Sequence, residues 1–190
     1  MNRERIILIA SLLVIAAVPV VYFLNPFQTA SADPRARLAG GTIYRMPSRN
    51  MEPTIREGDT FVVNSAALSD RDPEVGEIVV FKFPPNPGIH YIMRVVATGG
   101  STIEMRAGVV WLDGRKLDEP WLPAEPIKAA TIEGQVIPLR QEDIYADLPP
   151  TLVPEQHLFV LGDNRGNSSD SRVWGFVPRE MVIGVYARSL

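Results

Sequence analysis

"GEIVVFKFPPNPGIHYIMRVVATGG", Gly76 to Gly100, decides the fold class. Two runs dense in Val, Ile, Phe and Tyr, "GEIVVFKF" and "YIMRVVA", flank a Pro- and Gly-rich break. β-branched and aromatic side chains fit a pleated, packed surface, whereas Pro and Gly interrupt it, so the stretch reads as two strands with a turn between them. The same signature recurs in both directions, in "DTFVVN" (59–64), "GVVWLDGRKL" (108–117), "HLFVLG" (157–162) and "MVIGVYA" (181–187). Within "VVWLDGRKL", Asp113-Gly114 predicts a two-residue hairpin turn, because both residues accept the positive φ angles it needs. No amphipathic helical period of useful length accompanies these runs. The expectation is a mostly β, antiparallel domain over residues 42–190, interrupted at about 118–156 by an irregular insertion. That insertion carries Pro120, Pro123, Pro126, Pro138, Pro149, Pro150 and Pro154.

The N-terminal residues differ in kind. Ile6 to Leu24, "IILIASLLVIAAVPVVYFL", contains no charge. At about 1.5 Å per residue it nearly crosses a hydrocarbon core of roughly 30 Å, and Pro19 is tolerated in such a helix. Residues 1–27 are therefore expected to form a membrane anchor in contact with lipid, with 28–41 a short polar linker. A cleaved secretory signal is the rival reading, since Arg3 and Arg5 precede the run and "ASA" at 30–32 has the A-x-A form of a cleavage site. Signal cores of about 7–15 residues are shorter than this run, which favours a retained anchor. Basic residues flank both ends, so charge does not decide orientation. Either reading carries the β domain to the extracytoplasmic side.

Composition narrows the function. Apolar residues are 46% and charged residues 22% of the 190, compatible with a packed core. A formal charge of −3 argues against a nucleic-acid partner. The absence of cysteine excludes disulfides, thiolate metal sites and cysteine nucleophiles, and two histidines make a histidine metal site unexpected. No cofactor is expected.

Three segments resemble type I signal peptidases, the membrane-anchored serine peptidases that cut signal peptides from exported proteins. "MPSRNMEPTIREGD" (46–59) is close to that family's P-S-x-S-M-x-P-T-L-x-x-G-D. The stretch from Gly76 to "DGRKLDEPWL" is close to its G-D-[IV]-V-V-F and Y-[IV]-K-R-V-[VI]-G segments with a following hairpin. "GDNRGNSSDSRVWGFVP" (162–178) matches G-D-N-R-x-x-S-x-D-S-R-x-x-G-x-V in full. The resemblance implies a signal-peptidase-like β domain and a Ser-Lys dyad, in which a buried, neutral lysine deprotonates the nucleophilic serine. Here the motif positions hold Asn50 in place of the serine and Met93 in place of the lysine. A carboxamide nitrogen is a poor nucleophile, and a thioether has no titratable amine.

The resemblance also assigns Ser48 to an oxyanion position and Ser168 to hydrogen bonding with the lysine. It implies ion pairs Asp170–Arg172 and Asp163–Arg94 as support. Turn-forming, ion-pair-rich sequences of this kind would stabilise a fold with or without catalysis. Two residues of extended chain span roughly 6–7 Å, which is expected to keep Ser48 from replacing the nucleophile. Alternation along the strand is expected to turn His90 away from Met93, and Lys82 reads as a solvated strand residue. Met46-Pro47 and Tyr91-Ile92 are expected to edge a groove that binds an extended peptide. Two function classes stay open: a non-cleaving relative that binds signal peptides, exported proteins or an unidentified partner protein, and an active peptidase. Retention of the anchor predicts that N-terminal sequencing of the membrane fraction finds a chain that starts before Asp33; a chain starting at Asp33 would show that "ASA" is cut.

Overall fold

A computed structural model describes residues 3–27, 29–122, 129–132, 135–138 and 147–190, with backbone alone for 129–132 and 135–138. Helix α1 (Arg3–Leu24) contains Pro19, and none of its residues is buried by the rest of the chain. It is long and apolar enough to cross a membrane.

Seven strands form the main sheet, in the order β1 (Gly41–Arg45), β2 (Thr60–Asn64), β13 (Val182–Ser189), β3 (Ile78–Phe83), β4 (Asn86–Thr98), β11 (His157–Leu161) and β12 (Val177–Pro178). All pairings are antiparallel. A second sheet runs β10 (Leu148–Leu152), β5 (Thr102–Arg106), β6 (Val109–Leu112) and β7 (Arg115–Lys116); β8 (Ala129–Ile132) and β9 (Gln135–Pro138) form a separate pair. The β6–β7 turn has Asp113 at φ 51° and Gly114 at φ 75°, the backbone that the Asp-Gly pair predicts.

The core lies on both faces of the main sheet. Val79, Phe81, Met93, Val95 and Val160 pack on one face, with Ile78, Val80, Ile92, Phe61 and Ile183 on the other. Residues 78–81 and 92–97 are buried without interruption, because central strands covered on both faces need no polar alternation. The β3–β4 hairpin is longer than the sequence implies: β4 already starts at Asn86, within the Pro- and Gly-rich break.

Two expected boundaries need correction. The segment 28–41 is more than a linker. Asp33 caps helix α2 (Pro34–Ala39), and Thr29, Ser31 and Ala36 are buried. Thr29 Oγ1 donates to Ile183 O at 2.6 Å, and Ala30 N donates to Val182 O at 3.1 Å, so "ASA" is fastened to β13. The expected irregular insertion also ends early, since β10 pairs with β5 and Val153 is buried. Residues 123–128, 133–134 and 139–146 of that insertion lie outside the described residues.

A buried ion pair joins the central strand to the loop after β11. Arg94 donates Nε to Asp163 Oδ1 at 2.8 Å and Nη2 to Oδ2 at 2.6 Å; the residues are 6% and 2% exposed. Arg94 Nη1 reaches Gly76 O at 2.6 Å, and its guanidinium lies 4.5 Å over the Trp121 ring. Removing one partner strands a buried charge. Asp163→Ala should therefore destabilise the β domain by about 3–5 kcal/mol, whereas replacing both Arg94 and Asp163 with leucine should cost less. Urea unfolding of the solubilised full chain checks the difference.

Candidate functional site

The first motif leaves the end of β1 as a closed loop. Met46 N donates to Asp59 O at 2.8 Å, and Gly58 N donates back to Met46 O at 2.9 Å. Met46, Met51 and Ile55 drive the loop into the core. Met46 thus serves as a buried wedge rather than a groove edge, a correction to its expected peptide-binding place. Pro47 stays exposed, and the chain bends at Ser48 and turns at Asn50.

That bend changes the reach of Ser48. Its Oγ donates to Asn50 Oδ1 at 2.6 Å, far closer than an extended chain allows. Asn50 Nδ2 donates in turn to Ile92 O on β4 at 2.9 Å. One carboxamide therefore spans from the first-motif loop to the strand that carries Met93. β11 pairs with β4 from Arg94 onward, which leaves the Ile92 carbonyl to Asn50.

Met93 is 1% exposed and packs with Val79, Phe81 and Val95. Burying a thioether side chain of this size stabilises by roughly 1.5–3 kcal/mol. Tyr91 packs in the same cluster, while Ile92 belongs to the other face, so the strand alternates as expected. His90 stands with Ile92 on the face opposite Met93, its Nδ1 3.2 Å from the Tyr44 hydroxyl. It nevertheless lines the same cavity as Ser48 and Asn50. Burial, and then the charge of Lys82 opposite it on β3, pull the His90 pKa below the usual histidine range. Lys82 itself is half-buried rather than fully solvated.

The third motif clamps the first. Asn164 N donates to Asn50 O at 3.0 Å, and Asn164 Nδ2 donates to Arg49 O at 3.0 Å. Asp163 also accepts from Thr54 Oγ1 at 2.6 Å. Asp170 and Arg172 pair as expected, Nε to Oδ1 and Nη2 to Oδ2 both at 2.8 Å, and Asp170 Oδ2 accepts from Gly162 N at 3.2 Å. A Cβ on Gly162 would lie 2.6 Å from Asn50 O and would collide with Ser168 Oγ, so the close approach requires glycine. Ser168 Oγ is buried there without a hydrogen-bond partner among the described residues. Sequence reasoning missed Thr54, Asn164 and Gly162 as site-forming residues. All three sit inside the quoted motifs, but spacing along the chain does not show which groups meet across 109 residues, as Thr54 and Asp163 do.

The result is a cavity of about 360 Å³ between the Pro47–Asn50 segment and Ile89–Met93, closed at one side by Asn167 and Ser169. Its walls combine extended backbone, small polar groups and an apolar floor, as an extended peptide needs. Asn50 presents there a carboxamide with both ends hydrogen-bonded, and Met93 a thioether.

The family described as "Signal peptidase, peptidase S26" matches residues 2–189. "Probable signal peptidase I-1" of Synechocystis is 36% identical over 146 residues, covering 73% of this chain and 65% of the relative. "Signal peptidase I" of Aquifex aeolicus is 35% identical over 185 residues, covering 74% and 72% respectively. The chain spans slightly under two thirds of that Synechocystis relative. A crystal structure of a signal peptidase I from Enterococcus faecalis V583 is 30% identical and covers 60% of this chain and 97% of that one, with a TM-score of 0.43, too low to carry an argument. On the family match and these identities, the chain belongs to the signal peptidase, peptidase S26 family.

Proposed function

We propose that this chain is a membrane-anchored, signal-peptidase-like protein that binds signal-peptide segments of exported proteins without cutting them, its β domain on the extracytoplasmic side. The apolar helix α1 and the family both point to membrane anchoring. One observation carries the non-cleaving reading. At the positions that the resemblance gives to the dyad, the Asn50 carboxamide is engaged by Ser48 and Ile92, and Met93 is buried in apolar packing. Losing the nucleophile or base of a serine protease costs on the order of 10⁶ in turnover, and the two losses act on one catalytic unit. The groove walls need neither group to hold an extended chain by backbone pairing.

An active peptidase is the second reading. The names of the relatives favour it, as does the approach of Ser48 Oγ to the nucleophile position. Against it, the Ser48 hydroxyl gives its proton to Asn50 Oδ1, and no described basic group is hydrogen-bonded to Ser48 to activate it.

Incubation of the purified full chain with a signal-peptide substrate separates the two. The wild type should release no product. Asn50→Ser with Met93→Lys should recover cleavage, and each single change should recover none, because an unactivated hydroxyl and an amine without a nucleophile are each ineffective. The rate of the double variant should rise with pH as the lysine loses its proton, from a pKa below about 10.4 if the site stays dry. Wild-type cleavage abolished by Ser48→Ala would instead establish Ser48 as the nucleophile and overturn the proposal.

A further inference from the structure

The donors around Asn50 are arranged for a negative charge. Among the described residues its backbone N–H has no acceptor, although it borders the cavity. Ser48 Oγ, exposed in the same cavity, donates to a neutral carboxamide oxygen. Arg49 and His90 also line the cavity, and no lining residue is acidic; Arg49 itself is held by Glu52 at 2.9 Å. Ile92 and Met93 make that wall apolar, and hydrogen bonds to an ionised acceptor in such surroundings are about twice as strong as neutral ones.

The Asn50 carboxamide also lies across the groove. Its oxygen is tied to Ser48 and its nitrogen to Ile92 O, so it bars the passage between the two walls where the nucleophile of an active peptidase would attack. A chain that continued past this point would have to break one of those hydrogen bonds. A chain that ended there would meet a free N–H and a hydroxyl with its terminal carboxylate.

We infer that the groove is selective for the free C-terminal carboxylate of an extended peptide ending in small residues, that is, for the already released signal peptide rather than the uncut precursor. Asn50 N–H donates to the carboxylate, Ser48 Oγ–H turns from Asn50 Oδ1 to donate to it as well, and the Asn50 side chain, still held by Ile92 O, acts as the stop. The inference rests on the peptide-binding reading of this same groove and names which form of the peptide is bound. No bond is made or broken in it.

The test titrates the detergent-solubilised full chain with three fluorescent apolar peptides of one sequence. The first ends in Ala-Ser-Ala carboxylate, the second in the same residues as an amide, and the third continues for several residues beyond the last alanine. The carboxylate form should bind about ten-fold tighter than the other two, the worth of one or two charge-assisted hydrogen bonds over neutral ones. Ser48→Ala should shrink the ratio of carboxylate to amide affinity. Equal affinity for all three, or tighter binding of the extended peptide, overturns carboxylate selectivity and leaves peptide binding intact. Absence of binding by any of them at millimolar concentration removes both, and cleavage of the extended peptide removes the non-cleaving reading on which selectivity rests.

Discussion

The carboxylate of Asp163 is the group on which the site depends. It accepts both forked donors of Arg94 from the central strand β4 and the hydroxyl of Thr54 from the loop after β1. Three segments far apart in sequence thus converge on one buried anion. The next residue, Asn164, fastens the carbonyls of Arg49 and Asn50. A buried pair of this kind adds little net stability relative to an apolar replacement, but it is intolerant of losing one member. Its contribution is to geometry: with Arg94 and Asp163 matched, the loop after β11 can sit at only one height against β4, and Asn50 is brought to Ile92 as a consequence.

On that frame the two positions that the resemblance aligns with a Ser-Lys dyad carry Asn50 and Met93. By resemblance, an active relative keeps a lysine neutral by burial, an arrangement that costs desolvation energy and is maintained for catalysis. Met93 fills similar length with apolar atoms and leaves nothing to desolvate. Asn50 bonds each end of its carboxamide once, to Ser48 and to Ile92. Ser168 is the exception. Its buried hydroxyl has no partner among the described residues, and it stands at the position where the resemblance assigns a lysine contact. Leaving such a buried hydroxyl unpaired costs about 1–3 kcal/mol.

The junction with the anchor follows the same logic of polar groups brought to buried partners. Thr29 and Ala30 bond to consecutive carbonyls of β13, and Arg37 Nε donates to Ser31 O at 2.7 Å. Tyr22, near the end of α1, donates to Ala32 O at 2.9 Å. The A-x-A segment is therefore part of the folded domain and holds the end of the anchor against the main sheet. A protease would have to detach it before cutting.

The sequence by itself determined the strand-rich class, the apolar helix, the Asp-Gly turn and the identity of both ion pairs. Each depends on local periodicity, on turn chemistry or on motif letters that survive without coordinates. Tertiary structure decided what spacing cannot carry. The fold-back of Ser48 onto Asn50 depends on a bend, and extended-chain arithmetic has no account of bends. The burial of Met46 depends on which face the loop presents to Phe61 and Ile92. The order of α2 and of "ASA" arises because polar, proline-containing chain stays structured when a neighbouring strand supplies its hydrogen-bond acceptors. The cavity itself is made by residues from three separate segments, and only their packing could bring those walls within reach of one peptide.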